Sequence, residues 1–286
     1  MVNIGAVFTP IGDFGTKLGL LQRMNADTVR VSQNFNDQGP IFGPDQLQQI
    51  VDSVSTEVII QSSEHPTEQE AVAQLNSALQ IIRANPGKYF VFEIGNEPDQ
   101  GYYSGDPGGA GQAYVQAYRA CKGNAGDHAD GRVPNLWYAI NQPSNNATAD
   151  YWNAFNAQGV GEAEYATVHI YPPPSSPLVM CDHPEWGNDN PWKIYDFVRG
   201  YYGTGKPVKV TEAGMERRQG WDPYGNYGSV RGFDYLEFAN RIAATGNTDS
   251  VCFYGLPDVA ANESYLSLDI NDMNQLATRQ PSGYCG

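Results

Sequence analysis

The chain has 286 residues, of which 41% are hydrophobic, 12% aromatic and 17% charged, enough apolar side chain for a large core and the wrong composition for a disordered segment. Acidic residues outnumber basic ones by 32 to 17, a formal charge of −15. No Lys/Arg cluster interrupts that excess, so phosphates would be repelled and nucleic acid is not expected as a partner. No run approaches the roughly 18 apolar residues of a membrane span, so a membrane partner is not expected either.

In chain order, short apolar runs alternate with amphipathic stretches, the pattern of repeated βα units around a parallel sheet. Strands are predicted at 3–8, 28–33, 57–62, 88–95, 135–141, 165–171, 207–212 and 250–255. Helices are predicted at 16–25, 44–54, 67–84, 109–122, 149–158, 191–202, 230–245 and 271–278. The third helix carries the clearest boundaries: Thr67 as N-cap, Glu70 completing a capping box, and Asn85-Pro86-Gly87 as the stop. Eight units without a Gly/Ser linker or a shift in composition make one eight-stranded (β/α) barrel over residues 1–286 the economical architecture. The rival doubly wound sheet lacks a GxGxxG after the first strand, and neither a P-loop nor a GxSxG elbow is present. Gly108-Gly109-Ala110-Gly111 follows no strand directly and reads as a loop before a helix.

Two long loops follow predicted strand ends. Residues 172–190 contain three consecutive prolines and Trp186, and residues 215–229 contain Trp221, Tyr224 and Tyr227. Asn3–Val7 already reads as a strand, so the opening residues are not taken as a leader. Few lysines, 18 tyrosines and sequons at Asn146 and Asn262 lean towards a secreted origin. A monomer is expected. Of the four cysteines, Cys252 lies in an apolar run and reads as core, whereas Cys181 and Cys285 could bridge in an oxidising compartment. There is no CxxC spacing, and Cys181-Asp182-His183 is a poor metal nest without a second half; neither metal nor cofactor is expected.

Polar residues collect where the strands finish: Arg30 with Ser32 and Asn34, then Glu64, Glu93, Asn96 and Glu97, Asn141, His169 and Tyr171, and Glu212. In a barrel all these ends rise on one face, where active sites sit. Strand alternation assigns Val208, Val210 and Glu212 to one face and so points Glu212 at the axis. Glu93 is expected inward, below the site, in a buried ion pair with Arg30 or Lys209. Two carboxylates at one mouth, Glu97 and Glu212, are the equipment of glycoside hydrolysis, which needs a neutral acid at the leaving oxygen and an ionised nucleophile at the anomeric carbon. A core role for Glu212, tethering strands through Arg30, is the plain alternative.

Asn96-Glu97-Pro98 within EIGNEPD, together with Glu212 in TEAG, resembles the signature of the large clan of retaining (β/α)8 glycoside hydrolases. The form of the first motif is most similar to the β-glucuronidase- and heparanase-like members, then to the β-xylosidase-like family 39. The resemblance implies an acid/base role for Glu97, a nucleophilic role for Glu212, and a hydrogen bond from Asn96 to the sugar 2-hydroxyl. It places Arg30 against Glu212, has Tyr171 orient Glu212, and sets His169 beside Glu97. Many members carry a tryptophan on the eighth strand, where this chain has Tyr254; stacking would then fall to Tyr254, with Trp186 and Trp221 in outer subsites. The carboxyls are expected about 5 to 5.5 Å apart. A carbohydrate-binding barrel without catalysis is the alternative, and both glutamates argue against it. A metal-dependent barrel hydrolase would want His and Asp at several strand ends, and only His169 among four histidines lies on a strand.

Overall fold

A computed structural model of the chain describes residues 2–10, 12–32, 42–98, 105–124, 133, 135–141, 149–171, 206–214, 231–244, 248–256 and 268–280. Eight parallel strands close into a barrel in sequence order. They are β1 (Asn3–Phe8), β2 (Thr28–Ser32), β3 (Glu57–Gln61), β4 (Tyr89–Ile94), β5 (Leu136–Ile140), β6 (Tyr165–Ile170), β7 (Val208–Ala213) and β8 (Thr248–Phe253). Among the described residues seven α-helices surround it: α1 (Phe14–Arg23), α2 (Pro44–Asp52), α3 (Glu68–Ala84), α4 (Pro107–Asn124), α5 (Ala149–Ala157), α6 (Arg231–Ala244) and α7 (Ile270–Thr278). The expected helix at 191–202, both long loops, both sequons, Asn34, Cys181 and Cys285 lie outside the described residues.

Helix boundaries follow local chemistry. At α3, Thr67 accepts from the Glu70 backbone N–H, and Glu70 accepts from the Thr67 backbone N–H at 2.8 Å, the predicted reciprocal box. Helix α1 begins two residues earlier than predicted because Asp13 caps it, accepting from the Thr16 N–H at 2.8 Å. The Gly108–Gly111 cluster is not a loop. Pro107 opens α4, Asp106 accepts from the Gly109 N–H at 2.9 Å, and the glycines form the first helical turns. Small residues are needed there for packing: a Cβ on Gly111 would lie 2.8 Å from the Phe155 carbonyl of α5.

The strands read as two sets of side chains. One set, with Phe8, Val29, Val31, Phe92, Val168 and Val210, packs outward against the helices as the main core, each such side chain contributing about 1.5–3 kcal/mol of burial. The other set faces the axis in layers. Lys209, Glu57 and Thr28 lie at the floor, with Val7, Ile59, Val91, Ala139 and Cys252 in an apolar middle. A polar layer at the C-terminal mouth completes the interior. Cys252 and Cys121 are buried free thiols, and burial pushes the Cys121 thiol up to about 12.

Strand β7 departs from plain alternation. Val168 pairs with Val210 but His169 pairs with Glu212, so Thr211 is a surplus residue. Against β8, Val210 pairs with Val251 and Ala213 with Phe253, the same one-residue slip. Val208 and Val210 face the helices, so the expectation that they share a face with Glu212 is wrong. The bulge turns two successive side chains, Thr211 and Glu212, towards the axis.

Candidate active site

The mouth is assembled from the ends of β2, β4, β5, β6 and β7. The end of β4 is sharply bent. Gly95 has φ +77°, and a Cβ there would lie 1.5 Å from the Tyr114 ring of α4. Two residues on, Glu97 adopts φ +36°, a left-handed conformation that costs a glutamate on the order of 1–3 kcal/mol and persists only when its surroundings impose it. Here the surroundings are hydrogen bonds: the Asn96 N–H donates to the Glu64 carbonyl at 3.0 Å, and the Glu97 N–H donates to Asn141 Oδ1 at 2.8 Å.

Arg30 is the central cation of this layer. Its Nε donates to Glu93 Oε2 at 2.5 Å, its Nη1 to Glu212 Oε1, and its Nη2 to Asn96 Oδ1 at 2.9 Å. Glu93, fully buried, also accepts from Thr211 Oγ1 at 2.8 Å and Asn141 Nδ2 at 3.0 Å. It therefore makes the ion pair with Arg30; Lys209, the other expected partner, is instead bound at the floor to Glu57 and Asp249.

The two mouth carboxyls have different surroundings. Both oxygens of Glu212 are engaged, one by Arg30 and the other by the Tyr171 hydroxyl at 2.7 Å. Burial opposes its charge, but His169, Arg30 and Tyr171 outweigh burial and hold the carboxyl below its ordinary value. Burial and the facing Glu212 charge raise the Tyr171 phenol well above its ordinary value, so it remains a donor. Glu97 touches no guanidinium in the described structure. His169 Nδ1 lies 2.7 Å from Glu97 Oε1 and 3.6 Å from Glu212 Oε2. Burial disfavours an imidazolium at His169, yet the two carboxylates prevail and raise its pKa.

Oxygens of Glu97 and Glu212 and a nitrogen of His169 all lie within 4.8 Å of one another. Three such donors could hold a metal ion, but Arg30 and Tyr171 already occupy both Glu212 oxygens, so the set fits a proton-transfer site better than a cation site. Tyr254 flanks the mouth with its ring 6.3 Å from that of Tyr171, the two nearly perpendicular. The structure thus brings Arg30, Asn96, Glu97, His169, Tyr171, Glu212 and Tyr254 to one mouth, while Trp186 and Trp221 lie outside the described residues. Sequence reasoning left Asn141 and Thr211 without a role. Asn141 closes an apolar strand at the mouth and Thr211 alternates with the inward Lys209, both visible signals; it is Glu212 that owes its inward turn to the bulge.

No family model and no curated protein sequence matches the chain, and its likeness to known proteins is carried by structure. A β-mannanase from Streptomyces thermolilacinus, solved with mannohexaose, superposes with a TM-score of 0.63 at 17% identity, covering 100% of this chain and 89% of that one. A family 39 glycoside hydrolase from Bacteroides cellulosilyticus WH2 gives 0.61 at 14% identity over 98% of this chain, which spans 63% of that enzyme's length. A family 128 endo-β-1,3-glucanase from Amycolatopsis mediterranei, in complex with laminaripentaose, gives 0.54 at 11% identity over 99% of this chain and 100% of that one. The fold is the closed eight-stranded barrel that these glycoside hydrolases share.

Proposed function

We propose that the chain is a retaining glycoside hydrolase that cleaves β-glycosidic bonds of a poly- or oligosaccharide by double displacement. One observation carries the reading: carboxyl oxygens of Glu97 and Glu212 approach within 4.8 Å across the mouth. Oxygens no more than that far apart fit the short spacing of carboxyls that work by direct attack, about 5 to 5.5 Å, better than the roughly 6.5–9.5 Å that admits a water between them.

In this reading Glu212, held ionised, attacks the anomeric carbon while Glu97 gives its proton to the departing glycosidic oxygen, so a glycosyl ester forms as the old bond breaks. Glu97, now a carboxylate, removes a proton from water; the water oxygen bonds to the anomeric carbon and Glu212 is released. Asn96 has its oxygen turned to Arg30, which leaves its NH2 to donate to a sugar hydroxyl. Tyr254 offers a ring face where a pyranose could stack. The mannohexaose and laminaripentaose bound by two of the neighbours support a neutral glycan, as does the net charge of −15, which disfavours a polyanion.

The test is a screen of β-linked glucan, mannan, xylan, galactan and uronide substrates with Glu212→Gln as control, followed by NMR of the first-formed product anomer. Retained β configuration is expected. Inversion, or equal turnover by Glu212→Gln, would remove double displacement at Glu212. In Glu97→Gln, azide should restore turnover of an activated aryl glycoside.

A further inference from the structure

We propose that Asn141, backed by Glu93, is a positioning residue that fixes the single proton of neutral His169 on Nδ1, facing Glu97. The consequence for catalysis rests on the glycosidase reading; the tautomer itself does not.

The argument is one of donors and acceptors. The Glu97 backbone N–H can only donate, and it meets Asn141 Oδ1 at 2.8 Å. On the other side, Asn141 Nδ2 lies 3.0 Å from Glu93 Oε1. That carboxylate also takes hydrogen bonds from Arg30 and Thr211. Donor on one side and acceptor on the other leave the Asn141 amide one orientation. Its second N–H then points at His169 Nε2, 3.0 Å away. Nε2 must present a lone pair, so the imidazole proton belongs on Nδ1, 2.7 Å from Glu97 Oε1. A proton on Nε2 would set two donors head to head in a fully buried position.

The tautomer decides where Glu97 keeps its own proton. With Nδ1–H donating to Oε1, the acid proton sits on the other oxygen, and the charge left after its transfer is met by an N–H already in place. With the opposite tautomer, a bare Nδ1 would face Oε1 and hold the Glu97 proton there, away from the leaving group. Glu93 contributes by keeping the Asn141 donor edge turned to the ring. Nothing in the sequence pattern marks this route, since it joins the ends of β4, β5 and β6.

The experiment is 15N NMR of ring-labelled histidine, with His169 assigned by its loss in His169→Asn and spectra taken on the alkaline side of its titration. A protonated Nδ1 and a bare Nε2 are expected; the reverse would overturn the proposal. Asn141→Asp, an isostere that accepts where Asn141 donates, should move the proton to Nε2, and an unmoved proton would also overturn it. On a β-glycoside with an unactivated leaving group, Asn141→Asp should lose about 100-fold in kcat, the lower range for loss of acid/base assistance. It should lose only a few-fold on an aryl glycoside that departs unprotonated, and equal losses on both would sink the catalytic consequence. If the variant does not fold, the wild-type spectrum still decides the tautomer. If no β-glycan is cleaved, the glycosidase reading fails while the tautomer result stands.

Discussion

The two ends of the barrel interior both bury charge, and they bury it differently. At the floor one cation, Lys209, sits between two carboxylates, 2.6 Å from Glu57 and 2.8 Å from Asp249, with the Tyr165 ring 4.2 Å below its ammonium. Burial opposes the ammonium, but the acids more than offset it and raise the Lys209 pKa. At the mouth one cation, Arg30, pairs with Glu93 and Glu212, and a third carboxyl, Glu97, has an imidazole in place of a guanidinium. The floor cluster draws its acids directly onto the cation; the mouth keeps one acid away from it. Buried charge is therefore a poor marker of a site by itself, and an acid withheld from the nearest cation is a better one.

The largest effect expected from breaking this contrast is on turnover. Glu212→Gln should lower kcat by on the order of 10^4-fold, the scale of losing a nucleophile, and lower the melting temperature through loss of the ion pair with Arg30, with the floor unchanged. Calorimetry beside a turnover assay checks both halves. Next comes the exchange of each cation for an apolar chain of similar length. Arg30→Met leaves Glu93 and Glu212 facing each other without a cation and should cost about 3–5 kcal/mol in a denaturant titration, with activity lost as well. Lys209→Met should cost less, since Asp249 is 43% exposed and can turn to water, and it should leave kcat close to wild type. A large kcat loss in Lys209→Met would mean that the two ends are coupled and the contrast false.

The pH dependence sharpens the comparison further. The Glu212 carboxyl is held below its ordinary value of 4.5, so its stabilising contribution is complete above that value and disappears as pH falls through the lowered folded value. The stability difference between wild type and Glu212→Gln should shrink from pH 5 downward, and the acid limb of kcat/KM should lie below 4.5 if Glu212 sets it. A limb above that value would count against its being the nucleophile. The smallest effects separate two threonines. Thr28→Val at the floor removes a donor to Glu57 at 3.1 Å, and Thr211→Val at the mouth removes one to Glu93 at 2.8 Å. Each should cost about 1 kcal/mol, but only the second should also lower kcat, by a few-fold.

Much of this architecture can be read from the residues. Alternating apolar runs place all eight strands to within two or three residues, and the Thr67–Glu70 box gives the start of α3, because both are local patterns. The mouth constellation is legible for the same reason: polar residues ending apolar strands stand out. What cannot be read is pairing across strands. Nothing in the order of residues says that Lys209 reaches Glu57 rather than Glu93, or that Asn141 meets Glu97, Glu93 and His169 at once. Alternation gives the right direction for Glu212 by the wrong route, since Val208 and Val210, which it puts on the same face, look outward. Gly108–Gly111 misled in the opposite sense. Poor helix formers suggest a loop where the close approach of α5 demands small side chains.

The slip at Thr211 has a practical corollary for anyone who would redesign this strand. A second slip, in β8, leaves Asp249 surplus between the residues paired with Val208 and Lys209. Each end of the barrel interior thus turns one amino acid that an ideal pleat would omit into a hydrogen bond to a buried charge, Asp249 to Lys209 and Thr211 to Glu93. Deleting Thr211 would regularise the hydrogen-bond ladder and, because Val210 faces the helices, leave Glu212 still turned to the axis; what would go is the hydroxyl that binds Glu93.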